Sequence, residues 1–233
     1  GDDVMELQQG LKFYGFYDGP ENGIFDRTTE HAVRNFQQKA QLTVDGKVGT
    51  ETWKALAATF LYPAVAKSKD PEGELSIVID LNKRQLFLYS GGNLHKAYPV
   101  AIGKSKTPSP IGEWKIVNKS RNWGGGFGTR WLGLNVPWGI YGIHGTNKPW
   151  SIGNSASAGC FRMFNHQVEE LYRWVKIGTP VKVVGNTDPS FPQRTLEKGM
   201  TGQDVVYLQL ALREMGFDPG TADARFGSST EDA

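Results

Sequence analysis

The first and last stretches of the chain carry the same sequence pattern. A shift of 201 positions aligns residues 1–32 with residues 202–233 without a gap. The segment G-D-D-V-M-E-L-Q-Q-G-L-K-F-Y-G-F falls on G-Q-D-V-V-Y-L-Q-L-A-L-R-E-M-G-F. An internal repeat of this kind indicates two copies of one small structural module. The chain is therefore expected to fold as several units, with a different structure between the two copies.

The first copy has the pattern of three short helices within residues 1–58. Apolar residues recur at helical spacing, as at Leu7 and Leu11, until a glycine interrupts the pattern. A second helix is predicted after Asp26, with Phe36 on its apolar face, and a third around T-E-T-W-K-A-L. These three helices would form a small bundle with a minimal core.

The domain boundaries follow from changes in pattern. Residues 59–73 and 186–199 contain prolines and no clear period, and they are predicted to be linkers. Residues 74–185 contain short runs such as L-S-I-V-I-D and Q-L-F-L-Y-S, which predict a mostly antiparallel, sandwich-like sheet. Residues 200–233 stop at Ala233 inside a predicted second helix, so this partial repeat could not close the three-helix core. The predicted fold class is multidomain α+β.

The central segment contains several further elements. Strands are predicted over residues 94–102, 112–118 and 179–184. A helix is predicted over residues 166–176, with Asn165 as its N-cap. The glycine-rich W-G-G-G-F-G is a loop that matches neither common phosphate-binding pattern, so no nucleotide site is expected there.

Composition excludes several classes of function. The net charge of the 233 residues is only +2, which indicates neither a nucleic acid nor an anionic membrane as partner. No apolar run approaches the roughly 20 residues of a membrane span, and the N-terminus has no signal-peptide pattern. The four histidines and the single cysteine show no ligand spacing, so neither a metal nor another cofactor is expected.

The single cysteine and one histidine form the strongest chemical signal. Cys160 lies 16 positions after His144, and each has a neighbouring glycine, Gly159 and Gly145. Glycine lets backbone approach a ligand, and N–H groups beside a nucleophile can hold an oxyanion. A lone cysteine is by default an inert buried thiol. The small neighbours, together with a helix predicted shortly afterwards whose N-terminus would favour thiolate, instead predict a cysteine acyl-transfer site.

This stretch, H-G-T-N-K-P-W-S-I-G and then S-A-G-C-F-R-M, resembles the catalytic motif of YkuD-type L,D-transpeptidases. The resemblance extends across residues 74–185. It implies that Cys160 is the nucleophile and His144 its base, with the carbonyl of Gly145 orienting the imidazole. The N–H groups of Gly159 and Cys160 would face the oxyanion.

The resemblance also implies substrate contacts around this pair. Arg162 would order the loop or meet a substrate carboxylate. Many members have a histidine directly before Gly-Cys, where this chain has Ala158. A side-chain donor to the oxyanion is therefore not expected at that position. The residues predicted to bind substrate are Arg162, Ser157, Tyr141, Asn147 and Trp150.

The flanking repeats carry a second resemblance. The patterns D-V-x-x-L-Q, F-D-x-x-T and D-G-K-V-G-x-x-T-W resemble the three-helix peptidoglycan-binding domain of bacterial cell-wall enzymes. Together the two resemblances imply an exported, monomeric peptidoglycan L,D-transpeptidase. It would act in the cell wall or periplasm on stem peptides and glycan, through a thioester on Cys160.

Three other functions are considered. An L,D-carboxypeptidase would use the same site with water as acceptor, and a non-catalytic wall-binding protein would use only the repeats. Both stay open. A papain-like peptidase is less consistent with the sequence, because in those enzymes the cysteine precedes the histidine.

Overall fold

The computed structural model of the protein describes four stretches of the chain, residues 1–58, 69–122, 125–186 and 194–233. The described residues form two compact units. The N-terminal unit contains the first stretch together with Asn147–Ser151, and the larger unit contains the remaining described residues. The predicted α+β class is confirmed. Much of both predicted linkers and the first two residues of the glycine-rich loop lie outside the described residues.

The N-terminal unit contains the three predicted helices, α1 (Asp2–Phe13), α2 (Arg27–Lys39) and α3 (Thr50–Ala58). Helix α2 begins where the sequence predicted, because Asp26 Oδ1 accepts the backbone N–H of Thr29 at 2.8 Å. The apolar faces meet in a core that contains fully buried leucine, valine and phenylalanine side chains, among them Leu7, Leu11, Val33, Phe36 and Leu56.

The internal repeat extends to individual hydrogen bonds. In the first copy, the buried amide of Gln8 accepts the N–H of Gly23 at 2.9 Å and donates to the hydroxyl of Thr29 at 3.1 Å. In the second copy, Gln209 lies 201 positions later and donates to the hydroxyl of Thr230 at 3.1 Å. It also accepts the N–H of the residue equivalent to Gly23, at 3.2 Å. Each glutamine therefore fixes the loop before the second helix of its copy.

One segment of the N-terminal unit comes from the middle of the chain. Trp150 is 4% exposed and packs beside Trp53 and Tyr14, with ring centroids 6.5 and 6.4 Å away. Gly10 provides the space, because a Cβ there would lie 3.3 Å from the indole. Lys148 forms an ion pair with Glu6 at 2.7 Å. The indole is thus part of this unit's hydrophobic core.

The strands of the larger unit are β1 (Leu75–Asp80), β2 (Gln85–Ser90), β3 (Asn93–Pro99), β4 (Ile102–Gly103), β5 (Gly112–Arg121), β6 (Arg130–Leu134), β7 (Tyr141–His144), β8 (Ser155–Ser157), β9 (Phe161–Arg162) and β10 (Pro180–Val184). The unit is built on an eight-stranded sheet whose order is β3-β2-β1-β10-β5-β6-β7-β9. Two pairs, β1·β10 and β7·β9, are parallel and the other neighbours are antiparallel. A separate parallel pair joins β4 to β8.

The strand predicted over residues 94–102 is divided into β3 and β4. Pro99 ends β3 and has no N–H to donate to a ladder. Val100 then donates to the carbonyl of Arg84 at 2.9 Å, and Ala101 exchanges backbone hydrogen bonds with Arg162. The chain therefore crosses from the edge of the sheet to the strand that follows the cysteine.

A single hydrophobic core holds the larger unit together. Alternate residues of β1, β2 and β10 are buried, as at Ile77, and β6 and β9 add Leu132 and Phe161. Helix α4 (Asn165–Trp174) adds Val168 and Leu171. Burial of such side chains is the main stabilising contribution to a fold of this kind. Within the described residues, no helix is both long and apolar enough to cross a bilayer.

The partial repeat packs on this same core. It forms α5 (Gln203–Glu214) and α6 (Ser228–Asp232), and the fully buried Val206 joins the cluster of the sheet. Arg213 makes two hydrogen bonds of 2.9 Å to the carboxylate of Glu113 on β5. The half-repeat thus buries its apolar face against the sheet.

Candidate active site

Strand pairing brings two of the predicted site residues, His144 and Arg162, to one face of the sheet. In the parallel pair β7·β9, Ile143 lies opposite Phe161 and His144 lies opposite Arg162. Ile143 and Phe161 are fully buried in the core. Because side chains alternate along a strand, His144 and Arg162 point to the other face. Cys160 directly precedes β9, and the N–H of Gly142 hydrogen-bonds to its sulfur.

Two aromatic rings enclose the imidazole of His144. Trp131 lies opposite His144 in the β6·β7 ladder, and its indole stacks on the imidazole with centroids 5.7 Å apart. Phe127 contacts the imidazole edge to face, at 4.9 Å. The indole is held in place by its hydrogen bond to Asn118 Oδ1 at 2.9 Å. Gly142 leaves it room, since a Cβ there would lie 2.7 Å from the ring.

The backbone next to His144 fixes the tautomer of its imidazole. Nδ1 lies 2.5 Å from the carbonyl oxygen of Gly145. A carbonyl can only accept, so Nδ1 carries the proton and Nε2 keeps the lone pair of a base. Gly145 cannot have a side chain, because a Cβ would lie 2.2 Å from Asn165 Oδ1.

Asn165 has a different role from the one predicted. Helix α4 begins at Asn165 itself, and no side-chain hydrogen bond caps it. Its Oδ1 instead accepts the N–H groups of Thr129 and Thr146, at 3.2 and 3.1 Å. The predicted cap is wrong because the side chain joins two loops beside the histidine.

The loop before the cysteine is held by Ser157. Its Oγ donates to the carbonyl of Cys160 at 2.6 Å and accepts the N–H of Gly159 at 3.0 Å. The N–H of Gly159, predicted to face an oxyanion, is therefore used inside the loop, as serine turns commonly do. Of the two predicted donors, the Cys160 N–H is the one that stays a candidate.

Gly159 and Tyr141 shape the same loop. Gly159 has φ +112°, a conformation that side-chain-bearing residues rarely adopt. A Cβ there would also lie 2.7 Å from the ring of Tyr141 and 3.2 Å from the carbonyl of Pro108. The glycine is required by both its backbone and its surroundings, and Tyr141 packs against the loop that carries the cysteine.

Burial sets the protonation of the two central groups. It lowers the pKa of His144 to about 4. The backbone carbonyls of Gly145 and Phe127 oppose this shift, and the charge of Arg162 adds to it. Burial also raises the pKa of the Cys160 thiol, against the Gly142 N–H and Arg162. Both groups are thus neutral near pH 7. The prediction of a thiolate favoured by a helix N-terminus is wrong, because β9 separates the cysteine from α4 and burial dominates.

The thiol and the imidazole are not hydrogen-bonded to each other in the described part of the chain. The thiol donates to the carbonyl of Ile140, at 3.8 Å. The imidazole uses Nδ1 for Gly145. Catalytic hydrogen bonds are often long or misaligned without substrate. Proton transfer from Cys160 to Nε2 requires the thiol to turn away from Ile140.

The predicted substrate residues divide into three groups. Arg162 lies beside the cysteine and the histidine, and its charge acts on both. Ser157 and Tyr141 hold the cysteine loop, as described above. Asn147 and Trp150 belong to the N-terminal unit. Trp150 is a buried core residue there, and its contact with substrate stays a prediction.

Sequence reasoning missed the aromatic enclosure of His144. Trp131 and Phe127 follow no motif, and only the register of β6 against β7 brings the indole to the imidazole.

For metals, the four described stretches contain no group of three or more His, Cys, Asp or Glu side chains that could hold an ion.

Comparison with known proteins identifies two kinds of domain in the chain. The family model of the L,D-transpeptidase catalytic domain matches residues 74–183. The model of a putative peptidoglycan binding domain matches residues 1–56 and 201–233.

Individual relatives fall in the same two groups. A putative L,D-transpeptidase YkuD of Bacillus licheniformis is 50% identical over 107 residues, 46% of this chain and 64% of that protein. A putative L,D-transpeptidase YqjB of Bacillus subtilis is 30% identical over 140 residues, 54% of this chain and 79% of that protein. A spore cortex-lytic enzyme of Bacillus cereus is 44% identical over 69 residues, 30% of this chain and 27% of that enzyme.

The chain belongs to the YkuD family of L,D-transpeptidases and has peptidoglycan-binding modules on both sides of the catalytic domain. It spans 64% of the length of the YkuD protein that it matches.

Proposed function

We propose that this protein is a peptidoglycan L,D-transpeptidase with Cys160 as nucleophile and His144 as general base. One observation carries the proposal. The β7·β9 register puts His144 opposite Arg162 on β9, the strand that begins directly after Cys160. The carbonyl of Gly145 holds the Nδ1 atom of His144, so that Nε2 can accept a proton. A base oriented by a third group beside a nucleophile is the arrangement that covalent catalysis needs.

The first half-reaction forms a thioester. Because thiol and imidazole are both neutral, Nε2 takes the thiol proton as Sγ attacks the carbonyl of the bond between the third and fourth stem residues. The Cys160 N–H is the candidate donor to the oxyanion, and the charge of Arg162 stabilises the negative charge nearby. The terminal D-alanine then leaves with the proton that Nε2 held.

The second half-reaction forms the cross-link. The side-chain amine of a neighbouring stem attacks the thioester, and Nε2 removes a proton from that amine. The new amide forms, the carbon–sulfur bond breaks and the proton returns to the sulfur of Cys160. One donor stem and one acceptor stem thus give a dimer and one D-alanine.

The peptidoglycan-binding modules support a place of action on the wall. A module that binds wall polymer raises the effective concentration of substrate for the domain joined to it. The protein is proposed to be exported and to act in the cell wall or periplasm, as a monomer.

Two other functions compete with transpeptidation. An L,D-carboxypeptidase would pass the acyl group to water at the same site. A wall-binding protein without activity would have no use for the fixed tautomer of His144. The oriented imidazole therefore favours an enzyme. Analysis of the products then shows whether an amine or water accepts the acyl group.

The test is incubation with a disaccharide-tetrapeptide, followed by mass spectrometry of the products. We expect a dimer with the mass of two substrates less one D-alanine. Cys160→Ala and His144→Gln should abolish it, whereas His31→Gln, at an exposed histidine of the N-terminal unit, should not. A tripeptide without dimer would assign the site to a carboxypeptidase. No product at all would favour the wall-binding protein.

A further inference from the structure

A cleft runs from the cysteine loop to the partial repeat inside the larger unit. Its volume is about 720 Å³. At one end it is lined by Ala158 and Tyr141, and at the other by Gln203 and Tyr207 of α5. Cavities of roughly 300–1,000 Å³ are the usual size of small-molecule sites. The cleft is therefore large enough for a peptide of a few residues.

The near end of the cleft adjoins the candidate active site. Ala158 is exposed and lies two residues before Cys160. The loop after β4 covers this end: Lys104 N–H donates to the carbonyl of Ser157 at 3.0 Å, and Thr107 Oγ1 donates to the same oxygen at 3.2 Å. A ligand in the cleft would thus lie against the loop that carries the nucleophile.

The far wall of the cleft is fixed to the catalytic core. The amide of Gln203 accepts the N–H of Ile111 and donates to its carbonyl, both at 3.0 Å. Val206 is fully buried in the sheet's core, and Arg213 is paired in two hydrogen bonds with Glu113. Such two-point contacts hold a helix in one orientation. Helix α5 is therefore joined to the sheet by side-chain hydrogen bonds near both of its ends.

The chemistry of the lining fits a peptide. Trp138, Tyr141 and Tyr207 offer aromatic surface, and all three pack against the core cluster. Ser105 and Thr107 add hydroxyl groups, and the exposed Lys106 adds a positive charge that suits a carboxylate. Pockets of this kind, with aromatic walls and a few polar groups, orient a ligand and give specificity.

We propose that α5 of the partial repeat is a wall of the substrate site, and that Tyr207 positions the stem peptide that reacts at Cys160. This inference rests on the proposed function. The repeat keeps the hydrogen bonds of its module around Gln209. Its first helical turn, however, lines the cleft beside the nucleophile. One copy of the module would thus serve the reaction itself as a specificity-determining part of the site.

The experiment measures peptide binding in a protein that cannot react. Disaccharide-tetrapeptide is titrated into the full Cys160→Ala chain by calorimetry, and then into the same chain with Tyr207→Ala. We expect binding to weaken on the order of tenfold, as for the loss of one aromatic contact. Tyr207→Phe should keep most of the affinity. Tyr89→Ala is the matched control, because Tyr89 is equally half-buried but lies on β2, near the opposite edge of the sheet from β7.

A second measurement tests the role of α5 without any substitution in that helix. Amide signals of Gln203 and its neighbours are followed by NMR while the tetrapeptide is added to the Cys160→Ala chain. We expect them to shift together with those of Ala158. Unchanged α5 signals, no binding to the parent chain at millimolar peptide, or equal affinity with Tyr207→Ala would each overturn the inference.

The two proposals fail in different ways. If the peptide binds in the cleft but the wild-type chain forms no thioester, the proposed reaction is wrong and the cleft assignment stands. If the wild-type chain cross-links substrate and Tyr207→Ala leaves both KM and kcat unchanged, the reaction stands and the role of α5 is wrong.

Discussion

The imidazole of His144 lies nearly parallel to the indole of Trp131, with 24° between the planes and 5.7 Å between the centroids. Both side chains are at most 3% exposed. This stack helps to exclude water from the imidazole, and exclusion of water is the main cause of its low pKa.

Replacing Trp131 should return the His144 pKa toward its ordinary value. Trp131→Leu lets water reach the ring, which favours the charged form and raises the pKa from about 4 toward 6.5. NMR titration of the imidazole protons measures this directly. Trp174→Leu, on α4 and packed on His95, is the control and should leave the titration unchanged. An unchanged pKa of His144 in Trp131→Leu would show that the indole does not keep water away from the imidazole.

Alkylation of Cys160 by iodoacetamide should accelerate only on the alkaline side. The thiolate is the reactive form, and the thiol pKa is raised above its ordinary value of 9.0. The imidazole is charged only near pH 4 and below, so it cannot stabilise a thiolate at neutral pH. His144→Gln should therefore abolish turnover and leave this alkylation profile in place. A wild-type inflection near neutral pH that disappears in His144→Gln would contradict the neutral resting pair.

Substitutions at two glycines between β7 and β9 can distinguish the cost of backbone strain from the cost of a steric clash. Gly159 and Gly153 both have positive φ, at +112° and +86°. A Cβ at Gly153 meets no atom within 4 Å, whereas one at Gly159 meets Tyr141 at 2.7 Å. Gly153→Ala should cost about 1 kcal/mol of unfolding free energy and little activity. Gly159→Ala should cost more and should lower kcat sharply, because the cysteine loop must move. Equal effects in denaturant melts and assays would show that the Tyr141 contact is unimportant.

Trp150 should stabilise the N-terminal unit. Trp150→Ala removes a buried indole, and such truncations cost about 3–5 kcal/mol. Hydrogen exchange should quicken in α1, α2 and α3, while the amides of α4 in the larger unit serve as the internal reference. Unchanged protection of the three helices would mean that the indole contributes little to their core.

The local structure could largely be predicted from sequence. The Asp26 cap, the helical spacing of Leu7 and Leu11, and the alternating strands all rest on interactions within a few residues. The cysteine–histidine pair was also visible, because small residues surround both groups. Gln8 and Gln209 occupy equivalent places in the repeat, yet sequence alone did not assign their hydrogen bonds.

The long-range packing could not be predicted. Asn165 looked like a cap because it starts a helix, but Thr129 and Thr146 approach it from elsewhere in the chain. Trp150 was predicted to contact substrate, and sequence did not reveal that its indole is buried beside Trp53 in the core of the N-terminal unit. The thiolate was expected from a nearby helix, and burial of Cys160 reversed the direction of the shift. Each error came from a contact between residues far apart in sequence or from desolvation.

The most direct test of the account is the intact mass of the protein during reaction with disaccharide-tetrapeptide. The wild-type chain should gain the mass of the substrate less that of one D-alanine, and the added mass should map to Cys160 after digestion. Treatment with hydroxylamine should remove it, as expected of a thioester. His144→Gln should form the adduct far more slowly, and Cys160→Ala should not form it. The contradicting result is release of D-alanine by a wild-type protein that carries no adduct, together with equally fast release by Cys160→Ala. That result would exclude nucleophilic catalysis by this cysteine.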